Sequence, residues 1–422
     1  MKGEARLRRH DWCSSSGGTL VELERMAGRQ GRFAAAKLAV PHNERFAISM
    51  NSVLRTDPQV PTPVIGRDSD LLRVVANSLV ERLPSTWRVD MQLAPRLAGW
   101  RPDALLEISA PDGERGVLLV EAKLDLEPRA IEPLLTMLER AAVDADLPSE
   151  SKGPPMVVAR FLSARAQELL VDAGACFADA TGNVRVILER PALFLQARGA
   201  QSSPWRETRN LRTLRGRAAS RVVRALCDLR PPFGVRDLAA RADTALGSTV
   251  RALELISREA LIVRDERKQV VEVDVAGLVA RWAQDFRFSE QNEILQCLEP
   301  RRLESVLDRL PVVEGRYAVT GSFAATAVEP YADARLLVVY VENPEAAQEQ
   351  LGIRTAGGQS NVWLARSRDD LPFERTWGRD GVRYAALSQV ACDLFDMPGR
   401  SPSEAEELLR YITANPDARL TD

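Results

Sequence analysis

The sequence predicts a mixed α/β protein of several domains, and three observations lead there. Its 422 residues exceed what one hydrophobic core usually serves, which points to two to four domains. Residues 68 to 188 alternate helix-like and strand-like periodicity in the order helix, three strands, helix, strand, helix, strand, strand, the pattern of helices laid on one mixed sheet. A later stretch gives three helices and a charged hairpin, followed by a second, smaller α/β unit.

Residues 1–65 mix Ser, Gly, Arg and Pro. Ten Lys or Arg face six Asp or Glu up to residue 60, so a loosely tethered basic arm is expected, with Met50 as an alternative start of the chain. Domain one is assigned to 66–198. Asp68 to Leu83 reads as a helix with an acidic first turn and Leu71, Leu72, Val75, Leu79 and Val80 on one side. Trp87 to Leu93, Ala104 to Ile108 and Gly116 to Ala122 read as strands, the last two joined by the turn Pro111-Asp112-Gly113. Helices at Ile131 to Ala142 and Ala164 to Asp172, and strands at Met156 to Phe161, Ala175 to Ala178 and Val184 to Leu188, complete it.

Residues 199–217 form an arginine-rich linker. Arg206, Arg209, Arg212, Arg215, Arg217, Arg221 and Arg224 face a single acid in this stretch, Glu207, with a spacing that lines guanidinium groups along one side of a helix. Helices at Ala218 to Leu229, Val235 to Arg241 and Ser248 to Ala260, then strands Leu261 to Arg264 and Val270 to Val273, make 218–290 a winged helix-turn-helix. Ser248 would cap the third helix, with Thr249, Arg251 and Arg258 exposed on it. Arg264, Arg267 and Lys268 on the wing would reach the nucleic-acid backbone or minor groove, joined by Arg212 and Arg215 of the linker. Residues 291–422 read as α/β again, with strands Tyr317 to Thr320, Leu336 to Val341 and Val362 to Ala365, and helices Ser388 to Phe395 and Pro402 to Ile412.

Composition narrows the chemistry. The 57 Lys plus Arg nearly cancel the 59 Asp plus Glu, so any nucleic-acid affinity must come from local clustering. The five cysteines are scattered and form no C-x-x-C pair, which disfavours a disulfide framework or a thiolate zinc site and suits a reducing cytoplasm. No apolar run reaches membrane-spanning length. The only histidines are His10 and His42, both in the arm, so histidine-based hydrolysis and H-E-x-x-H zinc chemistry lose their essential residue. Phosphate-loop and dinucleotide glycine motifs are absent from the sequence. Carboxylates and lysines are left as candidate catalysts.

One constellation carries chemistry. Pro102-Asp103 enters a strand, and Glu121-Ala122-Lys123 closes the next strand after a hairpin. Antiparallel pairing sets Asp103 beside Glu121, where two carboxylates can hold Mg²⁺, and the strand period of two aims Lys123 at the same face. A lysine there can orient a water and neutralise charge building on a phosphate. These residues resemble the core motif of the restriction-endonuclease-like superfamily: Pro-Asp, a variable gap, then Asp or Glu, any residue and Lys. The resemblance covers roughly residues 68 to 197. It implies Asp103 and Glu121 as ligands of Mg (or Mn), Lys123 as the catalytic lysine, and Glu81 of the first helix as an added metal ligand. The chain lacks the Gln-x-x-x-Tyr that some nuclease branches carry after the lysine. Asp179 to Asn183 reads as a tight turn.

In the C-terminal domain, Tyr317 to Thr320 followed by Gly321-Ser322 resembles nucleotidyltransferase-like domains, and the whole tail resembles that of abortive-infection antitoxin regulators. Leu336 to Val341 carries no carboxylate, so the acid pair of an active transferase is missing and a scaffold or partner-binding role is expected. The function expected is thus a DNA-binding protein whose winged helix directs a Mg-dependent phosphodiesterase to double-stranded DNA. The alternative is a non-catalytic transcriptional regulator of antitoxin-repressor type; a third reading is a protein-interaction scaffold. A homodimer and a protein partner for the C-terminal domain stand as further expectations, and no membrane partner.

Overall fold

Asp68 and Asp70 place negative charge on the first turn of a helix whose Leu71, Leu72, Val75, Ala76 and Leu79 fall on one buried face. The computed structural model describes residues 45–46, 65–96, 101–144, 151–205, 213–330, 333–356 and 358–419. The expected basic arm and Arg206, Arg209 and Arg212 of the arginine run lie outside the described residues.

The first layer comprises β1 (Arg45–Phe46), α1 (Asp68–Arg82), β2 (Arg88–Leu93), β3 (Ala104–Ser109), β4 (Arg115–Lys123), a 3₁₀ turn (Pro128–Ala130), α2 (Ile131–Asp144), β5 (Met156–Ala159), α3 (Ala164–Asp172), β6 (Cys176–Asp179), β7 (Val184–Leu188) and β8 (Leu193–Ala197). The eight strands pair in sequence order. β4, β5 and β6 run parallel and the other pairs are antiparallel. Alternation along β4 divides the core. Leu118, Val120 and Ala122 pack under α1, whereas Leu119 turns to the face covered by α2 and α3, with Leu138, Val157, Leu170 and Phe177. Because β4, β5 and β6 are parallel, their C-terminal ends Lys123, Ala159 and Asp179 lie along one edge of the sheet.

The second layer begins with α4 (Arg217–Asp228), α5 (Val235–Arg241) and α6 (Leu246–Arg258), then the hairpin β9 (Ile262–Arg264) and β10 (Val270–Val273), and α7 (Val275–Asp285). Asp274 caps α7 by accepting from Gly277 N at 2.9 Å. The third comprises α8 (Phe288–Gln291), β11 (Asn292–Leu298), α9 (Glu304–Leu307), β12 (Tyr317–Thr320), α10 (Gly321–Thr326), β13 (Leu337–Val341), α11 (Pro344–Leu351), β14 (Arg354–Thr355), β15 (Val362–Ser367), β16 (Trp377–Arg379), β17 (Val382–Tyr384), α12 (Leu387–Leu394) and α13 (Ser401–Ala414). Its seven strands order as β14-β11-β15-β13-β12-β17-β16. The protein is therefore mixed α/β.

Two features depart from the expected outline. One hydrophobic cluster runs from Leu214 to Ile412 without a break at residue 290, joining Val223, Leu226 and Trp282 to Val339 and Val390. Of the arginine run, the described residues divide between the interior and the surface. Arg221 and Arg224 are buried, Arg221 meeting Asp369 and Glu374 at 3.2 and 2.9 Å and Arg224 meeting Asp228 at 2.7 Å. Arg217 pairs with Asp369 and Arg215 with Glu290. Arg221 and Arg224, which read as part of a cationic surface, are internal ion-pair partners, because the C-terminal layer supplies Asp369 and Glu374 against Arg221 and Gln389 against Arg224, while Arg215 and Arg217 stay exposed. Among the described residues no helix is long and apolar enough to cross a membrane.

Candidate active site and nucleic-acid interface

Register explains why two carboxylates meet. Ala104 of β3 lies opposite Val120 of β4, so Asp103, one residue before the strand, comes beside Glu121. Asp103 Oδ2 accepts from Ala122 N at 2.9 Å, which holds its carboxylate against the end of β4. Lys123 Nζ donates to Glu121 Oε1 at 2.6 Å and lies 3.8 Å from Asp103 Oδ2. Glu121 is 9% exposed. Burial pushes its carboxyl above the ordinary value, the Lys123 hydrogen bond pulls it back, and the charge of Asp103 pushes it up again. The three side chains thus converge at the edge where the parallel strands end. Two oxygen donors beside one ammonium are chemically suited to a hard divalent cation that keeps several waters and a substrate phosphate as its other ligands.

Glu81 is not brought to them. Its side chain is exposed on α1, and α1 covers the face of Val120 and Ala122, whereas the period of two sends Glu121 and Lys123 to the opposite face. Among the described residues no group of three His, Cys, Asp or Glu could hold a metal ion. Asp179, at the same sheet edge, is taken up by its turn. Its Oδ1 accepts from Thr181 N, Thr181 Oγ1 and Asn183 N, and its Oδ2 from Leu162 N and Asn183 Nδ2, all within 3.1 Å.

Arg160 escapes sequence reasoning and sits where it can act. It follows β5, whose Ala159 is in register with Lys123, and its Nε donates to Leu124 O at 3.2 Å. Its guanidinium pairs with Asp125 and lies 5.5 Å from the Trp205 ring centroid. The available signal was its place just after an apolar strand parallel to β4.

The helix-turn-helix assignments divide. α6 starts at Leu246 with Ala245 in the capping position, three residues before the expected cap. Ser248 therefore lies inside the first turn, where its Oγ accepts from Arg251 Nη2 at 3.2 Å. Thr249 is fully buried, 2.7 Å from Thr244 Oγ1 and donating to Ala245 O at 3.2 Å, so it braces the turn before α6 and cannot face a ligand. Arg251, Arg267 and Lys268 are exposed, while Arg258 and Arg264 are half-buried. Asp265 builds the hairpin turn, accepting from Gln269 N at 2.8 Å, with Lys268 in the left-handed region. Arg215 is exposed and paired with Glu290 at 2.5 Å, and Arg212 lies outside the described residues.

α6 does not stand alone in solvent. It packs against the 3₁₀ turn after β4, within the compact unit of residues 44–422. Arg165 of α3 reaches Asp274 at 2.6 Å and adds a second tie between the layers. In the C-terminal layer, all five residues of β13 are buried and apolar or tyrosine, and the fully buried carboxylate beside β12 and β13 is Asp393 on α12. Asp393 accepts from Thr320 Oγ1, Tyr340 Oη and Gln389 Nε2. No family model, curated protein or solved structure matches the chain.

Proposed function

We propose that the protein binds DNA and cuts phosphodiester bonds at Asp103, Glu121 and Lys123, as a Mg-dependent nuclease of restriction-endonuclease-like type. The observation that carries this reading is the convergence of the two carboxylates and one ammonium at the ends of β3 and β4. Asp103 and Glu121 would hold Mg²⁺ (or Mn²⁺), which when bound supplies Lewis-acid charge to the phosphate and eases deprotonation of a water. Lys123 neutralises charge that builds on the phosphate oxygens, and Arg160 steadies the loop after β4 through Leu124 and Asp125. The three helices with their hairpin are used as a winged helix, with Arg251, Arg267 and Lys268 exposed for phosphates and base edges. The seven-stranded layer serves as a nucleotidyltransferase-like scaffold without the acid pair.

Incubation with plasmid and linear DNA in Mg²⁺ or Mn²⁺ tests the reading. Cleavage is expected from the parent and a loss of about 10²-fold or more from Lys123→Ala and from Asp103→Ala, with DNA binding retained. Equal cleavage by parent and Lys123→Ala, or none from either, removes the nuclease assignment. The second reading, a non-catalytic regulator using this layer as a scaffold, is favoured by the lack of a third carboxylate at the site among the described residues, and it predicts binding without cutting.

A further inference from the structure

The 3₁₀ turn after β4 and the exposed side of α6 enclose a cleft of about 390 Å³. Its walls carry Arg129 from the first layer and Arg251, Arg258 and Arg264 from the second, with Glu127 and Glu254 as the only acids among the described residues that line it. Four guanidiniums against two carboxylates, facing one another across a polar groove, make a local positive field in a chain whose overall charge is close to zero. Arg129 and Arg251 are exposed, and Glu127 pairs with Arg129 at 2.6 Å across solvent, an exchangeable contact. Arg264 keeps a buried Nε without a hydrogen-bond partner among the described residues, a donor that the fold leaves over.

The cleft is tied to the candidate active site by the chain itself. Glu127 is four residues beyond Lys123, so an extended backbone can separate them by at most about 14 Å. One DNA strand advances about 3.4 Å per phosphate, which makes that reach no more than about four nucleotides. We infer that this cleft binds the phosphodiester backbone of a single nucleic-acid strand within a few nucleotides of the Asp103–Glu121–Lys123 site. The inference rests on the nuclease reading and deepens it: the C-terminal half of α6, packed against the 3₁₀ turn, is one wall of a strand-holding groove.

Arg129 decides the matter, since it belongs to the first layer and not to the helix-turn-helix. Fluorescence anisotropy with a labelled single-stranded oligonucleotide and its duplex, over 50–200 mM salt, compares the parent with Arg129→Ala, Arg251→Ala and an Arg267→Ala/Lys268→Ala double variant. Arg129→Ala and Arg251→Ala are each expected to weaken single-strand binding about tenfold at low salt and to reduce the salt slope by about 0.7, with a smaller effect on the duplex. Parent-like single-strand binding by Arg129→Ala overturns the cleft. If Arg251→Ala and the hairpin variant then still weaken duplex binding, the DNA-binding reading survives without it. Absence of binding to either probe by the parent removes both.

Discussion

At the residue scale, Asp393 carries a carboxyl displaced far above its ordinary value. It is fully buried, and desolvation pushes it up to about 7, against hydrogen bonds from Thr320, Gln389 and Tyr340 that favour the charged form. Between its ordinary value of 3.8 and about 7, the folded chain holds a proton that the unfolded chain has released. Stability from this group is therefore greatest below pH 4, falls as pH rises to about 7, and is level above that. A displacement of about three pKa steps corresponds to about 4 kcal/mol. Asp393→Asn keeps the shape and cannot ionise, so the stability gap between variant and parent, read from urea unfolding at pH 5 and pH 8, is expected to move by a few kcal/mol in favour of the variant. A gap equal at both values of pH would show that Asp393 is already ionised at pH 5 in the folded state.

At the scale of elements, α6 shows how a capping signal can mislead. Ser248 is a good capping residue type, yet the helix starts at Leu246 because the hydroxyls of Thr244 and Thr249 pair across the preceding turn and Thr249 fills a buried position. Thr249→Val is expected to destabilise the fold by about 1–2 kcal/mol, since Thr244 loses its hydroxyl partner, and to leave DNA affinity unchanged where the variant is folded. Arg251→Ala should do the reverse, lowering affinity without shifting the urea midpoint. Parent-like stability in Thr249→Val would remove the bracing role.

The same contrast sets what the sequence could tell. Strand period and the Pro111-Asp112-Gly113 turn are local, so the hairpin of β3 and β4 and the meeting of Asp103, Glu121 and Lys123 were legible. Which face of the sheet a helix covers is not local, and that misplaced Glu81. α7 was overlooked because Gly277 weakens its helical signal, although Asp274 supplies a cap. β11 was not foreseen because its partner β15 is some seventy residues away in sequence.

At the scale of the whole molecule, a buried polar chain binds α4 to the C-terminal layer. Arg224 donates to Asp228 at 2.7 Å, to Gln389 Oε1 at 2.9 Å and to the carbonyls of Leu371 and Glu374, and Gln389 passes on to Asp393 at 2.8 Å. A buried guanidinium is tolerated only with such partners, and three of the four come from beyond residue 290. The sequence separation of more than a hundred residues is why Arg221 and Arg224 read as surface from sequence alone. The apolar cluster makes the same connection, since Val223, Leu226 and Trp282 share it with Val339 and Val390. A fragment of residues 213–290 would expose that apolar surface and leave Arg224 and Asp228 without Gln389 and Ser388. The fragment is therefore expected to lose cooperative thermal unfolding by circular dichroism, whereas residues 213–419 keep it. In the longer piece Arg224→Met should lower stability by about 3–5 kcal/mol, because Asp228 is left as a buried charge with its main partner gone. Cooperative unfolding of the short fragment would mean that the layer of α4 to α7 is autonomous and that its contacts with the seven-stranded layer are dispensable for folding.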